Sequence, residues 1–153
     1  MEFIEICKPF DSLTVKELYA ILKLRSEIFV VEQKCVFLDM DDKDLKCQHL
    51  MLYQHKELMA YARIVPAGLS FAEPSIGRIV TSHAARGKGF GKQLVALAIE
   101  NCQRLYGKKP IKIGAQLYLK SFYESFGFIV KGDEYLEDDI PHVDMTRPVG
   151  SEN

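Results

Sequence analysis

The chain has 153 residues, the usual size of one domain, and this length is sufficient to bury a hydrophobic core. Its net charge is −1, so it lacks the positive field with which general nucleic-acid binders hold phosphates. No apolar stretch approaches the roughly 20 residues that cross a bilayer, and the first residues lack the basic and apolar regions of a signal peptide. We therefore expect one cytoplasmic domain, residues 1–153, with neither nucleic acid nor membrane as a partner.

The four cysteines are scattered along the chain, with no C-x-x-C pair and no metal-ligand spacing. This pattern is typical of free thiols in a reducing compartment, and it predicts neither a disulfide framework nor a metal site. The cysteines are Cys7, Cys35, Cys47 and Cys102.

The first half of the chain reads as one helix among strands. Residues 3–6 predict a strand, and Thr14 with Glu17 forms a capping box that starts a helix running to about residue 31. Residues 35–46 read as an acidic loop. Apolar residues at 49–53 and 58–65 predict two strands joined by a turn at 55–57, and residues 76–81 predict another strand.

The second half alternates strands and helices. A glycine-rich turn at 86–91 opens a helix with one apolar face that ends near Gly107. A strand at 111–115, a short helix at 119–126 and two strands between 128 and 147 around an acidic turn complete the chain. Two strand–helix–strand crossovers predict parallel pairing here, and the hairpins elsewhere predict antiparallel pairing. The expected fold class is α/β, a mixed sheet flanked by helices.

The glycine-rich turn suggests an anion site, because helix-start N–H groups are unpaired and glycines admit a close phosphate. Two familiar phosphate loops fail on spacing. A P-loop would need glycine where Ser82 stands, and the dinucleotide fingerprint needs G-x-G-x-x-G where this chain has G-x-G-x-G. A tight turn without a ligand is the alternative.

These residues carry a resemblance. The segment from Arg86 to Gly91 fits the R/Q-x-x-G-x-G/A motif of the GNAT acetyltransferase superfamily, after a strand and before a helix as in that family. Residues 122–128, F-Y-E-S-F-G-F, resemble the family's F-Y-x-x-x-G-F segment. The similarity extends along the chain to the ElaA-like branch, through residues 18–20, 24–25, 29–33, 114–116 and 140–142. The resemblance implies the GNAT fold, whose sheet is partly splayed.

The resemblance also implies where acetyl-coenzyme A binds as cosubstrate. The pantetheine arm would lie along one strand, and a gap between this strand and residues 111–115 would admit it. This chain departs from the pattern at Gln116, where the family often has asparagine near the pantetheine amides. Glutamine offers the same donor and acceptor on a longer side chain, so the resemblance still implies a contact with the pantetheine. The implied coenzyme A residues are Ile79, Val80, Thr81, Arg86, Gly87, Lys88, Gly89, Phe90, Gly91, Lys92, Gln116, Phe122 and Tyr123.

Acetyl transfer to an amine requires an acid that protonates the leaving thiolate and a base that accepts a proton from the amine. Tyr123 matches the family's tyrosine, which protonates the leaving thiolate; packing in the core is the structural alternative. The base is less defined by the sequence: Glu32 and His142 are our choices, Glu137 and His83 are alternatives, and a water relay would also serve.

The resulting hypothesis is an N-acetyltransferase that transfers acetyl directly to a primary amine of a small molecule or peptide in a ternary complex. A coenzyme A-binding regulatory module with little or no turnover is the alternative. Two acidic stretches favour a cationic acceptor, and a homodimer is left open. The stretches comprise Asp39, Asp41, Asp42 and Asp44, and then Glu134, Glu137, Asp138 and Asp139.

Overall fold

The computed structural model describes residues 2–150 and contains two four-stranded sheets. The first has the order β1-β2-β3-β4, with every neighbour antiparallel. In the second, β8 is central, with β5 on one side and β6 and β7 paired to it antiparallel. The strands are β1 Ile4–Pro9, β2 Gln48–Gln54, β3 Glu57–Val65, β4 Ser75–Thr81, β5 Ile111–Gln116, β6 Ile129–Val130, β7 Tyr135–Glu137 and β8 Ile140–Arg147.

Three α-helices accompany these sheets: α1 Val15–Arg25, α2 Phe90–Tyr106 and α3 Lys120–Glu124. The predicted capping box is confirmed, since Glu17 N donates to Thr14 Oγ1 at 3.0 Å and Thr14 N donates to Glu17 Oε1 at 2.8 Å. The helix predicted to reach residue 31 ends as an α-helix at Arg25 and continues as a π-helical segment, Ser26–Glu32. Such wide turns often occur at functional sites.

The hydrophobic core lies on both faces of the first sheet. Leu50, Leu52 and Ala62 point to the face covered by α2, while Met51 and Tyr61 point to the face covered by α1. Because alternate strand residues point to opposite faces and both faces are covered, most residues of β2 and β3 are buried, and their central residues are largely apolar. This explains why their sequences lack the alternation of a half-exposed sheet.

The two sheets meet at β4 and β5, where they splay apart. Lys112 N donates to Pro74 O at 3.1 Å near the start of both strands, and within residues 2–150 no further backbone hydrogen bond joins them. The predicted parallel pairing of these strands is therefore wrong. The other predicted parallel pair, β5 with β6, is wrong because β8 lies between them. The predicted α/β fold with a partly splayed sheet is confirmed.

A β-bulge interrupts β4 beside the splay. Tyr61 pairs with Val80 and Arg63 pairs with Gly77, so two steps along β3 correspond to three along β4. Within this extra step Arg78 has a φ of +49°, which a non-glycine residue adopts only at a cost. The bulge turns the backbone of β4 just before Ile79.

Two tight turns set the hairpin registers. His55 and Lys56 join β2 to β3, and Asp138 and Asp139 join β7 to β8; all four residues have positive φ, as a type I′ turn requires. The tail was predicted to hold two strands, but it holds three, because Gly132 and its neighbours separate β6 from β7.

Candidate active site

A cleft of about 1090 Å³ opens where β4 and β5 separate. Ten of the residues predicted for catalysis or cofactor binding line it: Glu32, Ile79, Val80, Thr81, Arg86, Gly91, Gln116, Phe122, Tyr123 and His142. The splay thus brings both sequence motifs to one cavity, although residues 92–121 separate them along the chain.

The glycine turn forms one end of this cleft. Gly87 and Gly89 have φ values of +75° and +80°, which glycine adopts without strain, and Gly89 caps the start of α2. The N–H groups of Phe90, Gly91 and Lys92 have no hydrogen-bond partner within residues 2–150, because they begin the helix. These donors and the positive end of the α2 dipole fit a pyrophosphate.

Space around the turn is consistent with this fit. A Cβ built on Gly91 would have no neighbour closer than Thr81 Cγ2 at 3.9 Å, so the surface above it is open. The Phe90 side chain is buried against Phe3, which leaves only its backbone for a ligand. Gly87, Lys88, Gly89 and Lys92 are exposed beside the cleft rather than lining it.

The edge of β4 forms the adjoining wall. Thr81 and Val80 pair with β3 on one side, and their other side faces the cleft. An extended ligand carrying amide groups can therefore pair with this edge as an additional strand would. The unpaired edge and the glycine turn together suit a phosphate-bearing ligand with an amide arm.

Glu32, at the end of the π-helical segment, reaches the same end of the cleft. It accepts a hydrogen bond from Arg86 and lies 3.5 Å from His83 Nδ1. The hydrogen bond from Arg86 lowers the pKa of Glu32. A carboxylate with a lowered pKa holds a proton poorly, so this geometry favours Glu32 as the partner that orients Arg86 over its predicted role as a base.

Tyr123, on α3, is 5% exposed and packs edge-on against Phe122 and Phe128. Its hydroxyl has no hydrogen-bond partner in the described part of the chain, and the residue lines the cleft. Burial raises the pKa of this phenol well above its ordinary value. Tyr123 is therefore a protonated donor at neutral pH, with a hydroxyl still available to a ligand.

His142, on β8, is buried at the other end of the cleft. Its Nδ1 lies 2.7 Å from Ile140 O, and because a carbonyl only accepts, Nδ1 carries the hydrogen in the neutral ring. This leaves Nε2 to accept a proton, and Glu137 Oε2 lies 3.4 Å from it. Neighbouring Gln116 exchanges hydrogen bonds with Gln33 at 3.3 and 3.4 Å, which joins β5 to the end of the π-helical segment.

The first acidic stretch has a different role from the predicted one. Asp39 and Asp44 are buried and pair with Arg25 at 2.7 and 2.8 Å, and Asp41 pairs with Arg63 at 2.7 Å. Residues 35–42 form a loop, as predicted, and residues 43–46 a 3₁₀ turn, but these three carboxylates are not free charges, because they form a largely buried ion network. Their charges are already balanced by Arg25, Arg63 and Arg78.

Several residues of the cleft were missed in the sequence. Arg78 ties the bulge to the acidic segment, with Nε 2.9 Å from Asp39 Oδ1 and Nη2 2.9 Å from Asp39 O. Asp144 shares one face of β8 with His142, and alternation along the strand could have identified it. Tyr135 lies opposite His142 on β7, but its strand was not resolved by the sequence pattern.

Comparisons with known proteins identify the class to which this fold and cleft belong. Residues 29–148 match the acetyltransferase (GNAT) domain. The chain belongs to this family of N-acyltransferases, which use acyl-coenzyme A as cosubstrate.

Specific relatives cover almost the whole chain. Protein ElaA of Escherichia coli (strain K12) is 43% identical over 141 residues, 91% of this chain and 92% of that protein. The crystal structure of Escherichia coli ElaA matches with a TM-score of 0.89 at 39% identity, over 95% of this chain and 99% of that one. An acyl-CoA N-acyltransferase from Pseudomonas aeruginosa matches with a TM-score of 0.91 at 42% identity and the same coverage.

Two further features are absent from residues 2–150. Within that range no helix is both long and apolar enough to cross a bilayer. No three His, Cys, Asp or Glu side chains in the same range gather as a metal site would require.

Proposed function

We propose that this protein is an N-acetyltransferase that transfers acetyl from acetyl-coenzyme A directly to a primary amine. One observation carries the proposal: a single cleft holds unpaired helix-start N–H groups at one end, a free strand edge along its wall, and the unpartnered Tyr123 hydroxyl. The first two features would hold the phosphates and the pantetheine arm, and the third would serve the thiol that leaves. A regulatory coenzyme A-binding module has no need of the third.

The reaction first requires a neutral amine. An alkyl ammonium of pKa ~10.4 loses its proton at neutral pH at a cost of about 4–5 kcal/mol, so a base near the acceptor is useful. We assign this role to His142, whose Nε2 is the nitrogen left to accept a proton. Glu137, 3.4 Å away, would stabilise the proton once it is there.

The carbonyl and the leaving group are served from β4 and α3. Backbone N–H groups just after the bulge, with that of Val80 as our candidate, would stabilise the oxyanion that develops on the acetyl carbonyl. Tyr123 would then give its proton to the sulfur as the carbon–sulfur bond breaks. The acceptor nitrogen, which has already lost one proton to His142, keeps the acetyl group and gives up a second proton as the intermediate collapses. The second proton restores the Tyr123 phenol, and the first is released from His142 to solvent, so the products are the amide, the coenzyme A thiol and one proton.

The acceptor we propose is a cationic amine, such as a polyamine or a lysyl side chain. Because the first acidic stretch is neutralised by arginines, this proposal rests on the acceptor end of the cleft alone. Asp144 lines that end, but Lys112 Nζ, 3.8 Å from its Oδ2, offsets its charge. Glu137 and Asp138 also line it, and Asp139 lies in the adjoining turn. These carboxylates would attract a cation and repel an anionic acceptor.

Direct transfer in a ternary complex fits the thiols of the chain. Burial raises the pKa of Cys47 to about 11 and that of Cys102 to about 12, so neither is an activated nucleophile. The pKa of Cys35, whose Sγ lies 2.9 Å from Asp138 O, is also raised. Free thiols of this kind suit a reducing compartment, and we place the enzyme in the cytoplasm.

A matched pair of glycine variants tests the coenzyme A site. Gly91→Val would place a side chain above the unpaired N–H groups at the start of α2. Gly77→Val adds the same side chain near the start of β4, at the end of that strand away from the glycine turn. Neither added Cβ has a neighbour closer than 3.9 Å, so both variants should fold. Coenzyme A at 100 times its Kd should stabilise the parent and Gly77→Val by about 2.7 kcal/mol, measured as a rise in Tm.

We expect Gly91→Val to lose that rise. Gly89→Val is less suitable, because at a φ of +80° valine would strain the fold and confound the measurement. A normal rise in folded Gly91→Val would contradict the assignment of the phosphate site. Loss of the rise in both variants would point to a general disturbance of the cleft instead.

A further inference from the structure

Tyr135 occupies an unusual position across the floor of the acceptor end. It pairs in register with His142, and the two rings stack with centroids 5.9 Å apart and planes 23° from parallel. Beyond the ring, the Tyr135 hydroxyl donates to Asp144 Oδ1 at 2.6 Å. The side chain thus runs from one residue of β8 to the next residue on the same face.

Gly114 makes this position available. It lies opposite Asp144 in the β5–β8 pairing, and a Cβ built on it would stand 2.9 Å from the Tyr135 hydroxyl oxygen. A side chain at 114 would therefore displace the tyrosine. Glycine within a strand often marks such a close approach.

The imidazole of His142 is consequently held from several sides. Tyr135 covers one ring face, Ile140 O fixes Nδ1, and Glu137 faces Nε2. Asp144 is the remaining charged group on the same face of β8, and its Oδ1 is engaged by Tyr135. Gln116 of β5, opposite His142, is neutral.

We propose that Tyr135 is a positioning residue for His142, with its ring fixing the imidazole plane and its hydroxyl anchored on Asp144 over Gly114. The proposal rests on the proposed function, in which Nε2 of His142 receives the acceptor's proton. Stacking prevents the imidazole ring from turning about its Cβ–Cγ bond, so Nε2 stays directed at one point in the cleft. Gly114 acts indirectly, by leaving room for the hydroxyl.

Three variants separate the parts of this arrangement. Tyr135→Leu removes the ring and the hydroxyl, and Tyr135→Phe keeps the ring alone. Gly114→Ala keeps the tyrosine but places a methyl group in the space that its hydroxyl occupies. We expect kcat to fall at least tenfold in Tyr135→Leu and about threefold in Tyr135→Phe, the conservative variant that restores stacking. The kcat of Gly114→Ala should fall at least as far as that of Tyr135→Phe. Coenzyme A affinity should stay within twofold throughout.

A double-mutant cycle with His142→Gln shows whether Tyr135 acts through His142. In the His142→Gln background, Tyr135→Leu should lower kcat by less than twofold, an outcome that a merely structural role would not produce. Equal losses in both backgrounds, or a normal kcat in Tyr135→Leu, would overturn the positioning role and leave His142 as the base. A normal kcat in His142→Gln alone would overturn the base assignment and the positioning role together.

Discussion

At the scale of single residues, Tyr123 is our proposed proton donor to the leaving thiolate. Its ring is buried, its hydroxyl is unpartnered within the described residues, and burial keeps the phenol protonated. The family motif identified this residue in the sequence, but its periodic placement with Leu119 and Phe126 would equally suit the core. In the structure the ring packs in the core and the residue lines the cleft, which is compatible with both interpretations.

Tyr123→Phe should lower kcat ten- to a thousandfold and leave coenzyme A affinity nearly unchanged. The substitution keeps the packing of the ring and removes only the donor, so the loss belongs to the transition state. Steady-state kinetics at saturating substrates and calorimetric titration with coenzyme A would measure the two quantities. An unchanged kcat would leave Tyr123 as a core residue only.

At the scale of elements, the bulge of β4 and the acidic segment form one unit. Arg78 takes a strained φ of +49°, and its guanidinium reaches Asp39 and Asp41 while lying 5.8 Å from the Phe37 ring centroid. The side chain thus connects β4, along which we propose that the cosubstrate lies, to residues 37–41 in the wall of the cleft. We interpret the strain as a cost accepted for this connection.

Comparing Arg78→Gly with Arg78→Ala isolates the strain, because both variants lose the same ion pairs. Glycine adopts a positive φ freely, whereas alanine there is strained by about 1–2 kcal/mol. Arg78→Gly should therefore be more stable than Arg78→Ala by about 0.5–1 kcal/mol in urea unfolding, the reverse of the usual order in a strand. If Arg78→Ala were instead the more stable variant, the bulge would relax to an unstrained conformation when the arginine is removed.

The sequence predicted the elements well and their ionic connections poorly. Helix and strand periodicity identified α1, α2 and the strands of the first sheet, because burial imposes a regular spacing. The network of residues 39–44 escaped because its partners are distant along the chain. Arg25 among the apolar positions of α1 and Arg63 within an apolar strand were the available signals, since buried cations require buried partners.

At the scale of the whole molecule, the same network connects α1, β3, β4 and residues 39–44, and so contributes to stability. Burial opposes ionisation of Asp41, but hydrogen bonds from Arg63 outweigh it and lower its pKa to about 2. The pKa of Asp44 is also lowered, by hydrogen bonds from Arg25 against the effect of burial. Groups with lowered folded-state pKa stabilise above their unfolded pKa and lose that contribution as the pH falls.

Acid titration of stability should show this loss. Between pH 4 and pH 2 the parent should lose on the order of 2 kcal/mol through Asp41, and Asp41→Asn, which does not titrate, should lose correspondingly less. Urea unfolding at several pH values would give the dependence of the unfolding free energy on pH for the parent and for Asp41→Asn. The same dependence in both proteins would mean that Asp41 is paired equally in the folded and unfolded chain, or is paired in neither.

The separation of the two sheets is the feature of the whole molecule that creates the site, and the family resemblance implied it whereas the local sequence patterns did not. Crossover connections predicted hydrogen bonding between β4 and β5, but within residues 2–150 only the backbone hydrogen bond from Lys112 N to Pro74 O joins the two strands, and a bulge at Arg78 turns β4 beside the splay. The bulge depends on the pairing of β4 with β3, which local patterns do not encode.

The most direct test of the central claim is release of free coenzyme A from acetyl-coenzyme A across a panel of amines. We predict release above the uncatalysed rate only when an amine is present, with a polyamine or lysyl peptide preferred over anionic amines. For the preferred acceptor, kcat/KM should fall with added salt while kcat changes little, because exposed carboxylates act mainly on encounter. Binding of coenzyme A without release for any amine, or a preference for an anionic acceptor, would contradict this account.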